Sequence, residues 1–342
     1  MRVLAEPLVA LLIVLTAGLA SCGGAGGYGG GGGNMPVAGV GPSKLFAADS
    51  TNKVVGSLAN PDPAAGALTV DRLIGPQPPY FYNYAGFSTT LGSLALDATR
   101  DVLYVGTGTT VQVFYGASQA NGDIFFSASI GPFGSTGSMF VDAVHDRLYV
   151  GDDAANVKVF NGASTANGMP APRLVTGATT PIHGVAVDTT ARNILFVSND
   201  TAGASTTHQI MVFDNADSVT TAAPNRTITP TASAVNLAVG GISLDAGNDR
   251  LYVAGGSGSS TVMVFNGAST ANGPIAPDKT FSGFGSGIVS VVVDPPNDRL
   301  YAVGSNGHIY LVEAVGTLSS GAVTAKDASV SGGVLTAVAV SP

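Results

Sequence analysis

Five stretches of this chain are copies of one another, and that repetition constrains the fold more than anything else in the sequence. In register they read SLALDATRDVLYV (93–105), SMFVDAVHDRLYV (138–150), GVAVDTTARNILFV (184–197), GISLDAGNDRLYV (241–253) and SVVVDPPNDRLYA (290–302). The marker residues Asp97, Asp142, Asp188, Asp245 and Asp294 stand 45 to 57 residues apart. After the LYV run comes a third apolar run, VQVF (111–114), VKVF (157–160), IMVF (210–213) or VMVF (262–265), and then a fourth beyond a turn-rich loop. Four short apolar runs per unit and a period near 50 predict the blade of a β-propeller, with strands a to d in sequence order.

The chain ends test this reading. Leu335–Pro342 (LTAVAVSP) matches a strand a, with Ser341 in the marker position, and then the sequence stops. Near the other end, KLFAA (44–48), KVVGSL (53–58) and LTVDRLIG (68–75) supply strands b, c and d. Together they make a sixth blade from both termini, which removes the open sheet edge that otherwise invites aggregation. The predicted fold is all-β: a six-bladed propeller of four-stranded blades over residues 44–342, its ring closed by the C-terminal strand pairing into the N-terminal blade.

Within each copy the three residues before the marker are apolar or small, as in Leu94-Ala95-Leu96 and Val291-Val292-Val293. A strand apolar on both faces fits an inner position between neighbouring blades. The marker Asp and the Asp or Asn after it (Asp245 with Asp249, Asp188 with Asn193) flank the a–b turn. Their recurrence in every full copy points to turn chemistry rather than to a metal or acid/base site. The NGASTANG loops (161–168 and 266–273) place Asn-Gly at both ends of the c–d connection and also read as turns.

The D-x-x-x-D-R-L-Y-V signature followed by V-x-V-F resembles the NHL and YVTN-type propeller repeats of secreted bacterial proteins, over residues 44–342. That resemblance implies the fold and says little about function, because propellers host binding scaffolds, lactonases and lyases alike.

Upstream, Arg2 precedes an apolar run, Leu8–Ala20, of signal-peptide length and too short to span a bilayer comfortably. It ends in Leu19-Ala20-Ser21-Cys22, and Cys22 is the chain's single cysteine. This resembles the lipobox of bacterial lipoproteins. The resemblance implies cleavage after residue 21, acylation of Cys22 and residence in the cell envelope on a membrane; the alternative is an ordinary secretory signal with an incidental cysteine. A lone cysteine also excludes a disulfide framework in the mature domain. Residues 22–43, dominated by Gly, read as a flexible tether with a reach of roughly 25 Å.

A net charge of −8 argues against a nucleic-acid groove, which needs clustered Lys and Arg. Function is therefore sought where the repeats diverge. In a propeller the a–b and c–d loops share one face, and the b–c loops and d–a links share the other. The second face carries the long links 75–92 and 230–240 and the b–c loop 198–209. With six blades the two links lie about half a turn apart. Tyr80, Phe81, Tyr82, Tyr84 and Phe87 fall within eight residues of the first link. Tyrosine clusters give rigid, amphipathic contact area suited to a protein or polysaccharide partner; the competing reading has the rings plugging the channel mouth or covering a blade edge.

His183, His208 and His308 lie in or beside loops of that face, and with Asp152, Asp153 or Asp200 they form the alternative, a metal or acid/base site of a lactonase- or lyase-like enzyme. His145 sits in an a–b turn. The inner strands, however, carry no charged residue before the marker Asp, and acid/base catalysis needs such groups. The sequence thus predicts a monomeric, non-catalytic envelope scaffold without a cofactor.

Overall fold

Each apolar run forms a strand, and the turn residues between runs set its limits. The computed structural model describes residues 44–58, 70–76, 87, 91–152, 155–177, 182–200, 208–220, 223–231, 241–255, 258–329 and 334–341, with backbone only for 183, 199, 200, 208 and 341. The chain divides into the units Met1–Gly39 and Val40–Pro342, and every described residue lies in the second. The expected signal peptide, Cys22 and the tether lie outside the described residues.

Six sheets follow one another in the order read from the repeats. We number the blades 1 (91–130), 2 (136–175), 3 (182–230), 4 (242–282), 5 (288–329) and 6 (335–341 with 44–74). Within each, strands a to d pair antiparallel from the axis outwards. Strand a of each blade packs beside strand a of the next, and strand a of blade 6 touches those of blades 1 and 5, so the ring is closed. Closure is by the C-terminal strand Leu335–Ser341, which pairs antiparallel with Lys44–Asp49. Ser341 sits opposite Lys44, just as Asp97 sits opposite Val102 and Asp245 opposite Arg250. Two three-residue 3-10 turns, Ala163–Thr165 and Pro295–Asn297, interrupt the strands, and no described helix is long and apolar enough to cross a membrane.

The core lies between blades. The leucines of the LYV runs, Leu103, Leu148, Leu251 and Leu300, with Leu195 in blade 3, are fully buried, and so are the aromatic residues that follow them, Tyr104, Tyr149, Phe196, Tyr252 and Tyr301. Strand b alternates its side chains between two interfaces: Leu103 and Val105 face blade 6, while Val102 and Tyr104 face blade 2. Each buried Leu or Val contributes about 1.5–3 kcal/mol, and alternation spreads that gain over both neighbours. The blades approach so closely at Gly137 that a Cβ there would stand 2.6 Å from the Ile182 carbonyl oxygen.

Polar bonds reinforce the ring on its a–b/c–d side. Arg100 of blade 1 donates to Asp97 Oδ2 at 2.8 Å and to the Ala143 carbonyl of blade 2 at 2.5 Å. Arg192 repeats this from blade 3 to the Ala246 carbonyl of blade 4. Further out, Arg72, Arg173 and Lys279 on strands d reach carbonyls of the next blade's c–d segment.

Candidate interaction face and central channel

The a–b/c–d face is committed to internal bonds. Each marker carboxylate is buried and turns its oxygens onto the turn that follows: Asp245 Oδ1 accepts Asn248 N at 3.1 Å, and Asp142 Oδ1 accepts Val144 N and His145 N, both at 3.1 Å. The second acid sits in left-handed backbone (Asp101 φ 56°, Asp146 φ 52°, Asp249 φ 52°) and latches the a–b turn to the c–d turn of its own blade. Asp249 accepts Ser269 N at 2.9 Å and Ser269 Oγ at 2.7 Å; Asp101 holds Ser118 and Asp146 holds Ser164 in the same way. Blade 3 uses Asn193 instead, whose Nδ2 donates to Asp217 at 2.7 Å and holds that carboxyl below the usual carboxylate range. The Asp pairs are turn residues, as expected from their recurrence.

The opposite face carries the described b–c turns, such as 108–110 and 305–307. The link of residues 75–90 joins blade 6 to blade 1, and that of 231–241 joins blade 3 to blade 4, interfaces on opposite sides of a six-membered ring. Tyr80, Phe81, Tyr82 and Tyr84 lie outside the described residues. Phe87 is a correction to the expected surface cluster: it is 1% exposed and packs edge-on against Phe114, ring centroids 5.6 Å apart, so it belongs to the core between blades 6 and 1.

The histidines are spread over three blades. The backbone of His183 lies at a register shift in strand a of blade 3, and His208 opens strand c of the same blade, opposite Asp200. His308 opens strand c of blade 5, two blades away, and its Nδ1 lies 2.8 Å from Asp327 Oδ1, beside the Tyr310 ring. His145 pairs with Asp142 Oδ2 at 2.7 Å on the other face. Asp152 is likewise withdrawn from metal ligation: it is 1% exposed, bonds Lys158 Nζ at 2.9 Å and accepts Asn156 N at 3.0 Å. Among the described residues no cluster of three or more His, Cys, Asp or Glu is arranged to hold a metal.

Along the axis runs a channel of about 240 Å³, walled by the six strands a. Its wall is hydrocarbon, from Leu96, Phe140, Leu244, Val289, Val292 and Val340, punctuated by Ser93, Ser138, Ser243, Ser290 and Thr336. Three of the hydroxyls stitch neighbouring inner strands: Ser138 Oγ accepts Val185 N at 3.2 Å, Ser243 Oγ accepts Val293 N at 3.0 Å, and Thr336 Oγ1 donates to the Leu91 carbonyl at 2.5 Å. These join blades 2 to 3, 4 to 5 and 6 to 1, alternate interfaces of the ring. Ser93 Oγ is buried and has no hydrogen-bond partner among the described residues. Sequence reasoning passed over these groups while weighing charged residues. The signal was present, since they are nearly the only polar side chains in otherwise apolar strands.

No family model matches the chain, and no curated protein matches it. Among solved structures, the WD40 β-propeller domain of Doa1 superposes with a TM-score of 0.52 and 13% identity, over 86% of this chain and 82% of that one. At such identity the likeness carries the fold alone.

Proposed function

We propose that this propeller is a monomeric, non-catalytic interaction scaffold of the NHL/YVTN kind, held at the cell envelope by an acylated Cys22. It engages an envelope protein or polysaccharide through the face of the b–c loops and d–a links, led by Tyr80, Tyr82 and Tyr84. The supporting observation is the asymmetry between the faces. On one, the acids and hydroxyls are consumed in latches that repeat from blade to blade; on the other, long links enter at opposed interfaces. Loops that vary on one side of a repeat array are where such arrays bind. The channel chemistry supports the non-catalytic half of the reading, because its wall offers carbon and hydroxyl where acid/base catalysis needs ionisable groups.

Capture from envelope extract tests the face. Wild type should retain a protein or polysaccharide that a Tyr80/Tyr82/Tyr84→Ser protein releases, while Val144→Ser on the opposite face changes nothing. Equal retention by all three sinks the assignment. For the anchor, a Cys22→Ser protein should leave the membrane fraction; one that still partitions with membranes refutes lipidation.

A further inference from the structure

We infer that the central channel is itself a binding site, for a small uncharged molecule with an aliphatic body and one hydroxyl- or ester-type polar group. Four properties of the channel set that chemistry. Among the described residues its wall has no Asp, Glu, His, Lys or Arg, so a charged ligand would lose its hydration with none of them to compensate it. Leu96, Phe140, Leu244, Val289, Val292 and Val340 offer instead an apolar surface that gains by expelling water. At about 240 Å³ the space lies just under the usual range of small-molecule pockets, about 300–1,000 Å³, which suits a slender molecule.

The fourth property is the hydroxyl of Ser93. It borders the channel where blades 1 and 2 meet, the residue is 6% exposed, and its oxygen has no partner among the described residues. Nearby, Thr136 Oγ1 is also buried and unpartnered. A Cβ placed on Gly106 would stand 2.5 Å from Ser93 Oγ and 3.0 Å from Thr136 Oγ1, so the two hydroxyls converge on one spot. Buried polar groups are normally satisfied. Here the bond is completed when the Ser93 side chain, whose oxygen is closed off beside Gly106 of strand b, turns towards a polar group in the channel. Ser138, Ser243 and Thr336 are already engaged between strands, so the specificity falls to Ser93 of blade 1 and Ser290 of blade 5. This site is independent of the looped face, and either assignment can fail without the other.

Isothermal titration of the full-length chain carrying Cys22→Ser, with 1-octanol, octanoate and octylammonium as probes, tests it. Octanol should bind with a negative heat-capacity change, and both charged analogues at least tenfold more weakly. Gly92 lines the channel with only Thr136 O, at 3.5 Å, near an added Cβ, so Gly92→Leu should block octanol while the thermal transition is kept. Ser93→Ala should weaken octanol several-fold and leave octane uptake unchanged. Absence of octanol binding to the unblocked chain, equal binding of the charged analogues, or binding that survives both Gly92→Leu and Val292→Phe overturns the assignment.

Discussion

Tyr104 shows how a repeated residue can be kept for its ring alone. Its side chain is fully buried between blades 1 and 2, and its hydroxyl has no hydrogen-bond partner; the equivalent position in blade 3 is Phe196. Tyr104→Phe removes an unsatisfied hydroxyl and should be neutral or stabilising by up to about 1 kcal/mol at pH 7, read as a urea midpoint. Burial pushes the phenols of Tyr104, Tyr149 and Tyr252 above their usual value of 10.0. Unfolded tyrosine ionises near that value while the folded residue keeps its proton. The stability they give is therefore complete below about pH 10 and falls as pH rises beyond it, by about 1.4 kcal/mol per pH unit for each. Urea midpoints between pH 8 and 11 should decline, and Tyr104→Phe should make the decline shallower. The second acid of the a–b turn gives a sharper residue-scale test. Asp249→Ala loses both bonds from Ser269 and leaves in left-handed backbone a residue without the polar side chain that makes that conformation tolerable for Asp and Asn, so we expect a loss of about 2–3 kcal/mol. Asp249→Asn should recover most of it, because Asn193 holds the same conformation at φ 51° and accepts Asp217 N at 3.2 Å.

At the scale of the element, the c–d loops do more than turn. Gly273–Ile275, in the c–d loop of blade 4, pairs parallel with Arg226–Pro230, the outer strand of blade 3, and Gly321–Ala322 of blade 5 does the same to blade 4. Single bridges Ile74–Gly122 and Ile130–Gly168 repeat the contact around the ring. The Asn before the glycine completes it: Asn121, Asn167 and Asn272 accept the amides of Leu73, Ser129 and Thr227 at 3.1–3.2 Å. Blades 1, 2, 4 and 5 thus each cover the exposed edge of the one before, the place where sheet proteins otherwise aggregate. Asn272→Ala should cost about 1 kcal/mol, speed hydrogen exchange at Thr227, and raise light scattering on heating. The Asn-Gly turns were legible because turn chemistry is local. Their second use was not, because Thr227 lies 45 residues before Asn272 and no local pattern joins them. The same limit applies to Phe87: its aromatic neighbours in the link suggested a surface, while its partner Phe114 is on strand c of the next blade along. The blades themselves were legible down to Ser341 standing in for a marker Asp, since repetition checks each strand against its copies.

For the whole molecule, the consequence of building blade 6 from both ends is that covalent continuity and structural continuity differ at one place. Lys44 and Ser341 are paired residues at the a–b turn, where blade 1 spans the same gap with the four residues 98–101. Deleting 335–342 leaves the Lys44–Asp49 edge unpaired and exposes Leu45 and Phe46, which are 0% and 1% exposed in the closed ring. Losing the burial of Leu335, Ala337, Val338 and Ala339 as well removes several kcal/mol, a large share of the 5–15 kcal/mol typical of a domain. The truncated protein should therefore oligomerise, seen as a mass shift in light scattering, and lose its cooperative melt. A circular permutant separates this from a mere need for the C-terminal residues. With Ser341 joined to Lys44 by a four-residue turn and the chain opened between Gly177 and Ala178, blade 6 becomes continuous and the new ends fall in the link from blade 2 to blade 3. If closure acts through strand pairing alone, that permutant should stay monomeric with a melting temperature within a few degrees of wild type. A permutant that aggregates like the truncation would show that the fold depends on where the chain begins and ends, not only on which strands meet.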